Sequence, residues 1–203
     1  MQTARLHLVA APRPCQRERY AEDRNRLLWA AAQKTRNTYA RPLDALPDLF
    51  RLLGYRLGRK SLGPDRWGQL EHARKIVWVC ADLADKLEYR AAVREVEAFT
   101  LAHELAHLRL HLRQIIQGRT CRQLELEADE YAGVFLVPRR HLVGVPQFRG
   151  GLMMARTPAE VSTAVTVLAR LYGISRQAML VQLEFLRIVE MDRETRQLRL
   201  IAA

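Results

Sequence analysis

The chain has 203 residues, 49% of them apolar, and a formal net charge of +11. This length and apolar content exclude a disordered chain and fit one domain with extensions, able to bury a core without a metal or disulfides. Arginine carries most of the charge, 29 Arg against Lys34, Lys60, Lys75 and Lys86, and the absence of long basic runs argues for solvated helix faces, leaving nucleic-acid contact through a basic surface open.

Residues 1–20 hold a short apolar stretch, then Pro12 and Pro14, then charge, and read as an N-terminal extension with little order. From Ala21 to Tyr39 the pattern is helical, with Leu27, Leu28, Ala31 and Ala32 on one side. After Pro42, the spacing of Leu43, Leu46, Leu49, Phe50 and Leu53 predicts an amphipathic helix ending at Gly54. Between Tyr55 and Ala81 the segments YRLGR, WGQL and KIVWVCA, bounded by glycines and a proline, predict two or three strands. Helical periodicity returns from Tyr89 to Gln117 and again from Leu124 to Val137, where Pro138 stops it. Residues 143–158 read as a Gly/Pro-rich loop. Ala159–Tyr172, Gly173 and Ser175–Val189 then read as helix, turn, helix, and Asp192–Ile201 as a terminal strand. The fold class is thus α+β, mostly helical, with a small β-sheet and a C-terminal helix-turn-helix-like pair. The expected organisation is a core over 21–142, the loop 143–158, and a helical segment with a tail over 159–203.

The segment TLAHELAHLRLH contains His103-Glu104-x-x-His107. Residues four apart on a helix share a face, so both imidazoles can reach one ion. Leu101, Leu105, Leu108 and Leu112 cluster in a separate arc, so one face packs while the histidines meet a cleft. Glu104 is placed to contact a water at the ion rather than the ion itself, and zinc is the expected metal. A catalytic zinc site wants three protein ligands and an open position. The downstream helix CRQLELEADEYAGVFLVP offers acids for the third. Glu125 and Asp129, four apart, share a face; Glu125 is favoured as ligand, with Asp129 bonding a ligand imidazole, and Glu127 fits less well. Other divalent ions remain open for such a His₂Glu set.

YRAAVREVEAFTLAHELAHLRLH followed by LELEADEYAGVFLVP resembles the ImmA/IrrE family of metallopeptidases, over roughly residues 42–189. These are gluzincin-like proteins with an HExxH helix and an E-x-E-A-[ND]-x-[FY]-A helix ending near a proline. The resemblance implies a zincin-like domain in which His103, His107 and Glu125 bind zinc, Glu104 is the catalytic base and Asp129 supports a ligand. It also implies a protein substrate, since several such proteins cleave a transcriptional repressor in bacterial cells, phages or mobile elements. Ala106 stands where the family often has Gly, and Asp129 where Asn is commoner; neither change removes a chemical function.

Other residues carry weaker signals. His111 lies about 12 Å along the helix from His103, too far to share the ion, which leaves it packing or hydrogen bonding. Cys121, one turn before Glu125, reads as a buried, inert thiol. Tyr89, Tyr131 and His141 are candidate oxyanion donors. Ser175 is a candidate N-cap whose box is incomplete at Ala178, and the helices around Gly173 read as core or partner-docking elements before a DNA reader. Three cysteines without CxxC spacing point to a reducing compartment, and no stretch approaches the ~18 apolar residues of a membrane span. Cytoplasm is the expected location, with no membrane partner. The leading expectation is a zinc endopeptidase acting on a repressor-like protein. The alternative is a non-proteolytic, antitoxin-like protein that binds DNA or a partner through its C-terminal helices and holds zinc structurally.

Overall fold

The structure is a computed structural model that describes residues 16–36, 38–86, 93–119, 121–192, 194–195 and 197–201. Helix α1 (Gln16–Thr35) starts earlier than its periodicity predicts, because Tyr20 joins Leu27 and Ala31 on the buried face. Tyr20 meets Tyr131 edge-on, with centroids 5.2 Å apart, so the expected N-terminal extension is helical from Gln16; residues 1–15 lie outside the described ones. A 3-10 turn (Pro42–Ala45) leads into α2 (Leu46–Leu52), which buries Leu46, Leu49 and Phe50.

Three strands follow as predicted: β1 (Arg56–Lys60), β2 (Gly68–Glu71) and β3 (Ile76–Cys80). The β-branched run makes β3 central, with Val77 and Val79 buried, in the order β1-β3-β2. It runs parallel to β1 and antiparallel to β2, which is left on the edge.

The short α3 (Leu83–Lys86) precedes α4 (Val93–Leu110), whose Leu101, Leu105 and Leu108 face the core. The periodicity from Tyr89 is divided at His111, where α5 (Leu112–Ile116) takes over; residues 87–92 lie outside the described ones. Helix α6 (Arg122–Leu136) ends ahead of Pro138 and packs along α4. These two helices form the centre of the molecule, with α1 lying across α6 and with β2 and β3 against α4.

After α7 (Arg139–Leu142), the predicted loop instead holds a π-helical turn, Gln147–Gly151, and a 3-10 turn, Leu152–Met154. Phe148 and Leu152 are buried there, so apolar anchors outweigh the Gly and Pro signals. Helix α8 (Pro158–Tyr172) opens on a capping box between Thr157 and Glu160, and α9 (Arg176–Phe185) opens on Ser175, whose Oγ accepts from the Ala178 N–H at 3.0 Å. Helix α9 stops four residues short of the predicted Val189. Val189–Met191 is strand β4, paired antiparallel with β5 (Leu198–Leu200), so the expected terminal strand is one arm of a hairpin. The fold is a mostly helical α+β domain of the kind the zincin-like resemblance implies. No helix among the described residues is long and apolar enough to cross a membrane.

Candidate metal centre

Packing of α4 against α6 sets the first turn of α6 beside the middle of α4. His103, His107 and Glu125 thereby converge. His103 Nε2 lies 3.0 Å from His107 Nε2 and 3.2 Å from Glu125 Oε2, and His107 Nε2 lies 3.6 Å from the same oxygen. Donors around 2.0–2.1 Å from a tetrahedral zinc sit roughly 3.3 Å from one another. The three atoms therefore fit one such ion with little movement, and two neutral imidazoles with one carboxylate are a donor set of the zinc type. Glu125 is half exposed, while His107 is buried, so the group opens to solvent on the Glu125 side.

The surroundings orient the donors. Asp129 accepts a hydrogen bond from His103 Nδ1 at 2.8 Å, which leaves Nε2 with its lone pair directed at the group. Burial disfavours a proton on His103, but the Asp129 hydrogen bond and the charges of Glu104, Asp129 and Glu125 outweigh it and hold its pKa above the ordinary value. For His107 burial is joined by repulsion from His103, and its pKa is lowered. A neutral imidazole is the form that binds a metal.

Glu104 lies behind these residues, only 6% exposed. Burial raises its carboxyl to about 7, against the pull of His103 and of a hydrogen bond from the Leu70 backbone N–H. A base poised near neutrality suits proton transfer from water. Strand β2 comes so close that a Cβ on Gly68 would stand 2.5 Å from Thr100 Cγ2 and 2.7 Å from Glu104 Oε1. The glycine lets the edge strand β2 lie directly against this carboxylate, near enough for the Leu70 N–H to bond it.

His111, at the end of α4, does not join the group, in keeping with its distance from His103. It is 2% exposed, its Nδ1 faces His107 Nδ1 at 3.1 Å, and its Nε2 meets Glu127 Oε2 at 3.1 Å. Glu127, the acid that fits less well as a ligand, thus serves the histidine behind the site. The roles of Glu127 and Gly68 escape the sequence reading. The continued i, i+4 histidine series and a glycine inside a strand pattern were the signals that could have found them.

The remaining candidates fall elsewhere. Cys121 is exposed rather than buried, because it is the extended residue preceding the first turn of α6. Tyr131 is fully buried and donates its hydroxyl hydrogen to Asp23 Oδ2 at 2.8 Å, so it does not face an open cleft. His141 on α7 pairs with the Tyr172 hydroxyl at 3.0 Å. Tyr89 lies outside the described residues.

Residues 93–184, which contain α4 through most of α9, match the family model for the IrrE N-terminal-like domain of M78 peptidases. No curated protein matches the sequence. A solved structure described as a Mycobacterium tuberculosis transcriptional regulator is 17% identical, with a TM-score of 0.47 over 89% of this chain and 52% of that one, so this chain spans about half its length. The segment that carries both helices of the site thus matches the ImmA/IrrE family that the sequence resembles.

Proposed function

We propose that the chain is a zinc-dependent endopeptidase that cleaves a regulatory protein, with a DNA-binding repressor as the expected substrate. The convergence of His103 Nε2, His107 Nε2 and Glu125 Oε2 beside a buried glutamate carries this reading. His103, His107 and Glu125 would hold the ion, and Asp129 would fix the His103 ring. The ion would supply Lewis acidity, which acidifies a water and polarises the scissile carbonyl. Glu104 accepts the proton from the attacking water and returns it to the leaving amine, a task matched to a carboxyl whose pKa burial has raised to about 7. Among the described residues β2 is an edge strand, and the backbone groups that remain beside the Leu70 N–H would pair with an extended segment of substrate close to Glu104. The resemblance to the ImmA/IrrE family supports a repressor as the target.

The helices around Gly173 favour packing over DNA reading. Met179, Leu180 and Leu183 of α9 are buried, and Arg176 spends its guanidinium on Ser162 of α8 at 2.9 Å. The decisive experiment incubates the purified chain with the product of a neighbouring repressor-like gene, with and without chelator. Glu104→Gln should retain zinc and lose at least about 100-fold in cleavage rate, the usual worth of a positioned base. A chain without tightly held zinc, or a Glu104→Gln variant that still cleaves, would overturn the assignment.

A further inference from the structure

We infer that His111 and Glu127 are positioning residues that lock His107 in the tautomer able to bind the metal. The inference rests on the metal reading above and extends it to two residues outside the ligand set. To offer a lone pair from Nε2, His107 must carry its ring proton on Nδ1. Among the described residues that nitrogen faces neither a carboxylate nor a backbone carbonyl. Its partner is Nδ1 of His111, 3.1 Å away and sealed from solvent. Two facing nitrogens of neutral imidazoles share one proton, and the contact by itself leaves open which ring owns it. Glu127 settles the matter. Its Oε2 lies 3.1 Å from His111 Nε2, and a carboxylate only accepts, so His111 carries its proton on Nε2. His111 Nδ1 is then an acceptor, and the shared proton belongs to His107.

The opposite assignment would set a bare His111 nitrogen against a carboxylate and leave the proton of His107 on Nε2, where it blocks the ligand position. Gln123 steadies the other oxygen of Glu127 at 2.9 Å, so the carboxylate is itself oriented. The two metal-facing histidines are thereby set in different ways. His103 leans directly on Asp129, whereas His107 is set through a buried histidine by a glutamate one layer further out.

The test measures zinc affinity by competition with a chromophoric chelator and reads histidine tautomers by ¹⁵N NMR on the zinc-loaded chain. His111→Leu, which cannot accept, should weaken zinc binding 10- to 100-fold, the usual cost of losing a ligand's outer partner. His111→Asn places an amide oxygen near the lost Nδ1 and should recover most of that loss. Glu127→Ala should weaken binding several-fold and let His111 shift toward its Nδ1–H tautomer. The partly exposed Glu127 side chain makes this variant the safeguard should His111→Leu fail to fold. Zinc affinity within twofold of wild type in both His111→Leu and Glu127→Ala, or an Asn variant as weak as the Leu one, would sink the inference while sparing the parent reading. A wild-type chain that takes up no zinc overturns both.

Discussion

Gly68 holds a position where one methyl group matters. The Cβ of an alanine would press on Thr100 Cγ2 and Glu104 Oε1 at 2.5 and 2.7 Å. Thr100 is 7% exposed and β-branched on a helix, so it has little freedom to turn aside. The glutamate carboxylate is the more mobile of the two, yet its position is what the proposed proton transfer requires. Gly68→Ala should therefore lower kcat/KM by 10-fold or more, since displacements of about 1 Å at a reacting group can cost around 100-fold. Zinc content should stay at the wild-type level, because the atoms nearest a Cβ at Gly68 belong to Thr100 and Glu104 and to none of the three proposed ligands. Overpacking of this size costs about 1–3 kcal/mol, which a denaturant titration would register. Cleavage kinetics beside metal analysis separate this outcome from loss of the site, and an alanine variant with wild-type kcat/KM would disprove the close fit.

Where elements meet, Gly173 links α8 to α9 with φ of +66°, a left-handed conformation that ends one helix and aims the next at α6. Gly173→Ala should lower stability by about 1–2 kcal/mol, because a Cβ is disfavoured in that conformation. The side-chain ends of Arg41 and Leu43 would also have to retreat from it. The denaturation midpoint should fall with its slope unchanged. This turn is legible in the sequence, since Gly173 and Ser175 are local signals. The His103/His107 pair is legible for the same reason: both residues ride one helix, whose period fixes their relation. Glu125 could be favoured over Glu127 by its shared face with Asp129. What α6 presents to His111 could not be read, because its rotation is set by packing of Ala128, Tyr131 and Ala132. The approach of β2 to Glu104 is likewise non-local. Helix α9 ends at Phe185 and not at the predicted Val189, because Leu186, Ile188 and Val189 satisfy a helical stripe and a short strand equally well.

At the scale of the whole molecule, α1 binds together the two helices that carry the site. Asp23 is the centre of that clasp. Arg109 on α4 donates to it from Nη2 at 2.6 Å and Nε at 3.0 Å, and Tyr131 on α6 donates at 2.8 Å. Arg24 reaches the Phe135 carbonyl at 2.9 Å, and Arg17 reaches Glu130 at 3.2 Å. Burial works to raise the Asp23 carboxyl, but the hydrogen bonds from Arg109 and Tyr131 and the charges of Arg109 and Arg26 outweigh it, holding the pKa below the ordinary carboxylate value. A carboxyl depressed by folding stabilises the native state in full above its unfolded value, about 4. As the pH falls below that value the unfolded chain takes up the proton first, and the contribution drains away until the native carboxyl is protonated as well. Asp23→Ala strips the buried Tyr131 hydroxyl and the Arg109 guanidinium of their common acceptor. At pH 7 it should cost on the order of 2–3 kcal/mol, as for a lost hydrogen bond to a charged group. The gap between variant and wild type in urea unfolding should stay constant from pH 7 to about 5 and narrow below about 4. A gap independent of pH across that range would mean that packing of α1, and not the charge of Asp23, holds α4 and α6 in register.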